Sequence, residues 1–329
     1  MKAFEYVAPR SEAEVLLHLA ARPGETEILA GGTDLIGLMN KMVITPDKVV
    51  NIEDIATLKT IETDSLGVTI GAAVTLEEVL EHPALKDYPA VLQAIAGINS
   101  QQLRAQGTIG GELCQRPRCW YFRTGQGLLA EQGTLVEQGC NEHHAIFGNS
   151  GPAKFVSSSR IAPALIALDA ELRILGPDPD KESSISAGDL FRTPKTSSQR
   201  ENTLLPNQFV THITLPPLGQ RRCATYEVRQ SEGPDFPLAA AAAALVVRDG
   251  IVADCKIVLG QVAPTPWVSW QARQALIGRP LTHDTALSAG QAAVVMATPL
   301  SENEYKVQLA QVAVQRAILL AGGLETGGF

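Results

Sequence analysis

Three things are scarce in this sequence, and each shortage closes off a class of function. There is no excess of basic charge. Lys and Arg together number 27 against 35 Asp and Glu, for a net charge of −8 and a pI near 5.3. No basic stripe stands out, which argues against a nucleic-acid partner. There is no long apolar run either. The longest, Leu238 to Val247, is mostly alanine and covers about half of the ~20 residues that a bilayer requires. The N-terminus, Met1-Lys2-Ala3-Phe4-Glu5-Tyr6, has one Lys and no apolar stretch behind it. No signal peptide is expected, and the expected location is the cytoplasm. Cysteines are few. The five, Cys114, Cys119, Cys140, Cys223 and Cys255, are odd in number and scattered through 329 residues. Such a set reads as reduced thiols and not as a disulfide framework.

What is present is ordinary for a protein with a sizeable core: 45% hydrophobic and 19% charged residues. The length suggests two or three domains. Ser11-Glu12-Ala13-Glu14 and Thr75-Leu76-Glu77-Glu78 are capping boxes that open helices. Glu27 to Ala30 is a short apolar run ending in Gly-Gly and reads as a buried strand. Asp34 to Met42 reads as a helix with Leu35, Leu38, Met39 and Met42 inward. Further strands are expected at Val49–Ile52, Val68–Ile70, Glu171–Leu175 and Phe209–Leu215, and a helix at Ile161–Leu168 with Pro163 in its first turn. Gly176 to Asn202 is polar and reads as a surface loop with one short helical piece near Leu190. Pro216-Pro217-Leu218-Gly219 reads as a domain boundary. Beyond it, Leu245 to Val252 is a hairpin on Asp249-Gly250. Helical stretches follow at roughly 268–277, 284–297 and 302–321, the last opening on the capping box Ser301–Glu304. The fold class expected is α+β.

Two glycine turns carry chemistry. A diphosphate is bound well by converging backbone N–H groups, and glycine lets the backbone come close. A strand that runs through Gly-Gly into a helix offers such groups, together with the positive end of a helix dipole. Ala30-Gly31-Gly32-Thr33-Asp34 has this layout. Gly107-Thr108-Ile109-Gly110-Gly111 is a second turn that suits the same ligand from another side. Gly125-Gln126-Gly127-Leu128-Leu129-Ala130 matches a dinucleotide fingerprint only formally, because no clean strand precedes it.

With these residues in hand, a family resemblance follows. The stretch Ile28 to Leu35 resembles the first FAD motif of the flavoprotein (medium) subunits of the molybdenum hydroxylases, the xanthine dehydrogenase, carbon monoxide dehydrogenase and aldehyde oxidoreductase family. Gly107 to Arg123 resembles its second motif, and the likeness continues in order through His144–Gly148, Ile161–Leu165, Asp235–Leu238, Val262–Trp267 and Ala297–Ser301. The resemblance implies an N-terminal FAD-binding domain over 1–218, of two α/β subdomains (about 1–58 and 59–218) like those of vanillyl-alcohol oxidase. A C-terminal flavoprotein domain with an antiparallel sheet and helices would span 221–326. It implies an electron-transfer role. Electrons would come from the [2Fe-2S] clusters of a small subunit, after oxidation at a molybdopterin-containing large subunit, and pass through FAD to NAD+ or another acceptor. Carried over residue by residue, Leu29, Ala30, Gly31, Gly32, Thr33 and Asp34 should hold the cofactor from the first turn. Thr108, Gly110 and Gly111 should hold it from the second, and Ile98 should approach the flavin.

Two positions depart from the pattern. Glu112 stands where the family usually has Asn, and Arg160 where it often has Asp. Both are counted as cofactor-binding positions, with Arg160 meeting a phosphate or pairing with Glu112. Some relatives hold a [4Fe-4S] cluster after the second motif with four cysteines. Cys119 and Cys140, with Cys114 nearby, fall short of four, so no cluster and no metal is expected. Zinc on Cys119, Cys140, His143 and His144 does not match structural spacing. Trp120, Tyr121 and Phe122 read as packing or interface, and Arg116, Arg118 and Arg123 as facing an acidic partner. Two other functions are compatible with this fold. A free-standing flavin oxidase would need a substrate base and usually a covalent flavin link, and neither is legible. A scaffold without FAD is the reading that Glu112 and Arg160 would favour.

Overall fold

The computed structural model describes residues 1–327. Its strands form three sheets that follow one another along the chain. β1 (Glu5–Val7), β2 (Thr26–Leu29) and β3 (Lys48–Asn51) make a parallel sheet in the order β1-β3-β2. Parallel neighbours need crossovers, supplied by the helices Glu12–His18 and Leu35–Asn40. The first helix is capped by Ser11, whose hydroxyl accepts from Glu14 N at 3.3 Å, and buries Val15 and Leu16. Glu14 bonds Arg10 N and not Ser11 N, so this box closes one residue early.

The second sheet is antiparallel. β4 (Ile61–Asp64), β5 (Gly67–Gly71), β6 (Glu171–Leu175), β7 (Glu182–Ser186) and β8 (Phe209–Leu215) lie in the order β4-β5-β8-β6-β7. Strands distant in sequence thus meet at β5 and β8. The capping box at Thr75 is complete and starts the helix Leu76–Glu81. The third sheet, β12-β11-β10-β9, is built from β9 (Arg221–Val228), β10 (Ala239–Arg248), β11 (Ile251–Gly260) and β12 (Trp267–Val268). Asp249 and Gly250 both take positive φ, 50° and 77°, as a two-residue hairpin turn requires.

The alanine-rich run explains how this last sheet is seated. β10 is buried on both faces, with Ala239, Ala241 and Ala243 in one core and Ala242 and Ala244 in another. The first set meets the helix Tyr305–Gly322, which turns Ala310, Ala313, Val314, Ala317, Ile318 and Ala321 inward at helical spacing. The second set packs against Ile95 and Leu165, from the helices Pro89–Ala96 and Ala162–Ala167. Small side chains on both faces allow the close three-layer stack.

Four local expectations change. The helix after the first turn stops at Asn40, and Met42 is exposed with φ 57°, because the chain turns there. The box at Ser301 does not form. Ser301 Oγ accepts from Asn141 Nδ2 at 2.9 Å, and Asn303 Oδ1 accepts from Leu300 N at 2.7 Å. The helices before it are shorter than expected, Trp270–Leu276 and His283–Ala293. The stretch 176–202 is more than a surface loop. It contributes the edge strand β7, and its last part crosses a cavity. Among the described residues no helix is long and apolar enough to cross a membrane.

Candidate functional site

The two glycine turns meet. At Gly31 a methyl group would overlap the carbonyl oxygen of Gln106, so only glycine lets the first turn press against the chain that enters the second. Gly32 takes φ +68°, the left-handed region that glycine enters freely. The second turn is sewn to the segment after β5. Ile109 N donates to the Val74 carbonyl at 2.9 Å, Gly110 N to Ala72 at 3.0 Å, and Leu76 N to Gly107 at 2.9 Å. Thr108 caps the short helix Ile109–Leu113, its hydroxyl accepting from Gly111 N at 3.1 Å. Together the turns line one cavity of about 380 Å³, with Ala30 through Asp34 on one side of the sequence and Thr108, Gly110 and Gly111 on the other.

The backbone N–H groups of Gly31, Gly32, Thr33 and Asp34 donate to no protein acceptor among the described residues. Gly31, Gly32 and Asp34 are half-buried and Thr33 is exposed, so these donors face the cavity and water, as the opening turn of a helix leaves them. Four in succession on a glycine turn, followed by the N-terminus of the helix Leu35–Asn40, form an anion cradle. The residues therefore fit a diphosphate.

Asp34 does not cap its helix. Its carboxylate reaches across to the second motif instead, accepting from Arg116 N at 2.8 Å and pairing with Arg123 Nη2 at 2.7 Å. Arg123 also donates to the carbonyls of Arg116 and Pro117 at 2.9 Å each. Arg116 pairs with Glu201 and lies over the Phe122 ring, 4.9 Å from its centroid. Arg118 donates to Gln115 Oε1 at 2.9 Å and lies over Phe236 at 4.8 Å. The sequence reading has these three arginines facing a partner. The structure turns Arg116 and Arg123 inward onto carboxylates, carbonyls and a ring face, as enclosed guanidinium groups require, and leaves Arg118 36% exposed.

Four of the expected cofactor positions do not line the cavity. Leu29 ends β2 and uses its carbonyl to accept from Ile52 N at 2.9 Å. Ile98 packs against the main core, and its carbonyl accepts from Arg104 Nη1 at 2.7 Å. Glu112 is buried with its carboxylate pointing away from the turn. It accepts from Arg160 N at 2.6 Å, Ser159 Oγ at 2.9 Å and Gln115 Nε2 at 2.9 Å. Burial pushes its carboxyl up, against the pull of the Arg160 and Ile161 amides and the Ser159 hydroxyl. Arg160 meets Glu112 through its backbone only. Its guanidinium donates to the carbonyls of Gly97 and Asp235, and its Nε lies 3.7 Å from Glu227 Oε1. Arg229 also donates to the Gly97 carbonyl, at 2.9 Å.

Residues that the sequence does not mark also join the cavity. Arg192, Gln199 and Arg200 line it from the stretch after β7, and Leu204 and Phe209 add apolar wall. Nothing local marked them, since isolated arginines in a polar loop carry no periodicity. Cys114 also lines the cavity, and burial pushes its thiol up to about 12, so it stays protonated. A second cavity of about 300 Å³ is lined by Cys119, Cys140, His143 and His144. There Cys119 Sγ lies 3.2 Å from His144 Nε2, and burial beside Lys306 pushes the imidazole down to about 4. Among the described residues no three His, Cys, Asp or Glu side chains are grouped to hold a metal ion.

Comparison with known proteins agrees with this geometry. Residues 2–218 match the family model described as the FAD binding domain in molybdopterin dehydrogenase, and 224–321 match the CO dehydrogenase flavoprotein C-terminal domain. The chain is 31% identical to the aldehyde oxidoreductase FAD-binding subunit of Escherichia coli over 94% of its own length and 96% of that protein's. It is 24% identical to the carbon monoxide dehydrogenase medium chain of Hydrogenophaga pseudoflava, over 96% of each. Among solved structures, quinoline 2-oxidoreductase from Pseudomonas putida 86 superposes with a TM-score of 0.76 over 98% of this chain and 99% of that one, at 24% identity. A cavity lined by two glycine turns, and two family matches that together span most of the chain, lead to one conclusion: the chain belongs to the FAD-binding medium subunits of the molybdenum hydroxylase family.

Proposed function

We propose that this chain is the electron-transfer subunit of a three-subunit molybdenum hydroxylase, located in the cytoplasm. In this reading it takes electrons from the [2Fe-2S] clusters of a small subunit, reduced in turn by a molybdopterin-containing large subunit. It delivers them to NAD+ or another acceptor. The FAD-binding domain spans 1–218, divided near 58, and the C-terminal flavoprotein domain 221–326. The observation that carries the reading is the row of unpaired N–H groups from Gly31 to Asp34 on the wall of the cavity.

FAD, when bound, supplies the electron exchange. The chain's own residues supply the hold. Backbone donors on the first turn suit the diphosphate, at about 1.5–3 kcal/mol for each charge-assisted hydrogen bond. Thr108 and Gly111 present the second turn to the same space, and the Asp34–Arg123 pair keeps the two motifs in register. The test is to purify the complex, separate its subunits, and record visible spectra. A flavin band that travels with this chain is expected. Flavin found only on another subunit, or on none, would overturn the reading.

A further inference from the structure

The segment from Phe191 to Asn202 lies along the cavity as a strap. Its base is closed by an antiparallel bridge between Phe191 and Asn202, with Arg192 N donating to the Glu201 carbonyl at 3.0 Å. Its tip is folded on itself, Lys195 N bonding Gln199 Oε1 at 2.7 Å and Gln199 N the Thr196 carbonyl at 3.1 Å. Two side-chain ties fasten it to the rest of the site. Glu201 pairs with Arg116 beside the second turn, and Arg200 Nη1 meets Glu27 Oε1 on β2 at 3.3 Å.

The two ties differ in character. Arg116 and Glu201 are enclosed, with side chains 13% and 10% exposed. Arg200 is 34% exposed, and its contact with Glu27 is longer than the 2.7–2.9 Å usual for a charge-assisted hydrogen bond. Its second carboxylate, Glu201, is 4.0 Å away, and its Nε has no acceptor. Arg116, Arg192 and Arg200 line the cavity together with two carboxylates, Glu27 and Asp34. Asp34 is already committed to Arg123 and the Arg116 amide, and Arg116 to Glu201. Arg192 holds the Asn202 carbonyl at 2.8 Å and has no carboxylate partner, so Arg200 and Glu27 are the ion pair whose partnership is open to exchange. A diphosphate on the first turn would attract the arginine and repel the carboxylate.

We propose that Arg200 exchanges Glu27 for the diphosphate of the bound dinucleotide, making the strap a clasp over the cofactor and Glu27 the competitor that holds the arginine in its absence. This rests on the FAD reading above. Its signature is a pair of opposite effects. Removing Arg200 removes a cofactor contact, whereas removing Glu27 removes a rival and a repulsive charge.

The test uses the intact complex, stripped of flavin and titrated with FAD by fluorescence, with ADP and adenosine as competitors. Arg200→Gln is expected to weaken FAD about 10-fold, the equivalent of 1.4 kcal/mol, speed its release, and reduce the preference for ADP over adenosine by a similar factor. Arg200→Lys should recover part of the loss, and Glu27→Gln should tighten FAD. Melting curves of each variant separate these effects from unfolding. Weaker FAD in both single variants would show that the pair is structural only and overturn the proposal. So would equal losses for ADP and adenosine. A wild-type complex that takes up no FAD would refute the cofactor reading itself, whatever the variants do.

Discussion

Glu227 offers a sharp test of how charge is handled where β9 meets the helix Pro89–Ala96. Its side chain is 7% exposed, and neither carboxylate oxygen has a hydrogen-bond partner. The cations beside it stand off, with Arg160 Nε at 3.7 Å and Arg229 Nε at 3.8 Å. Ion pairs at that distance do not repay the desolvation of a buried carboxylate. Burial pushes the Glu227 carboxyl from an ordinary 4.5 up to about 7, against the pull of Arg160 and Arg229 and with a small push from Glu112. The folded protein thus prefers the protonated acid. Its contribution to stability is complete below pH 4.5 and is lost as the pH rises to about 7. At about 1.4 kcal/mol per pH unit, the loss is about 3 kcal/mol. Glu227→Gln cannot ionise, so it escapes this loss. The stability of the variant relative to wild type should therefore increase by about 3 kcal/mol between pH 4.5 and 7, then level off. Urea unfolding of both proteins across that range measures it, since every other titrating group is shared and cancels in the difference. A gap that stays constant, or narrows as the pH rises, would refute the reasoning and show that the two arginines do compensate the charge.

Further outcomes follow from the site and its surroundings. Gly31→Ala should destabilise by at least ~1–3 kcal/mol and strip flavin, because the new methyl group overlaps the Gln106 carbonyl and pushes the turns apart. Melting temperature and flavin occupancy should fall together. Glu112→Ala should lower stability by ~1–3 kcal/mol through the orphaned Ser159 and Arg160 donors. FAD affinity should change little, since the carboxylate faces away from the cavity. A large loss of affinity with unchanged melting would reverse that assignment. Lys306→Met leaves carbonyls of Gln261, His143 and His144 without their shared donor. It should destabilise most at high pH. Burial pushes the Lys306 ammonium from 10.5 down to about 7, so wild type itself loses stability as the pH falls through that window and the gap between the two should shrink.

Much of the local structure was legible because its causes are local. The strand Thr26–Leu29 ends where Gly-Gly begins, Thr75 and Glu78 close a capping box within four residues, and Asp249-Gly250 dictates a tight hairpin. The two glycine turns belong to the same class, since glycine's conformational range is a property of the residue. The failures lie where a side chain had a competing partner. Ser301 was drawn to Asn141 and left its helix uncapped. Arg116 and Arg123 found acceptors inside the chain, so they never became an exposed patch.

By itself, then, the sequence determined the two turns, the family and most element types, though not the edge strand β7, and each of these depends on residue identity over short spans or on matched motifs in order. Only the tertiary structure decided that Gly31 lies against Gln106, that Glu112 turns its carboxylate from the cavity, and that Arg200 reaches Glu27 across a separation of 173 residues. Those contacts answer to packing, desolvation and the competition for hydrogen-bond partners once the sheets are assembled. No local pattern in the chain records which partner will win.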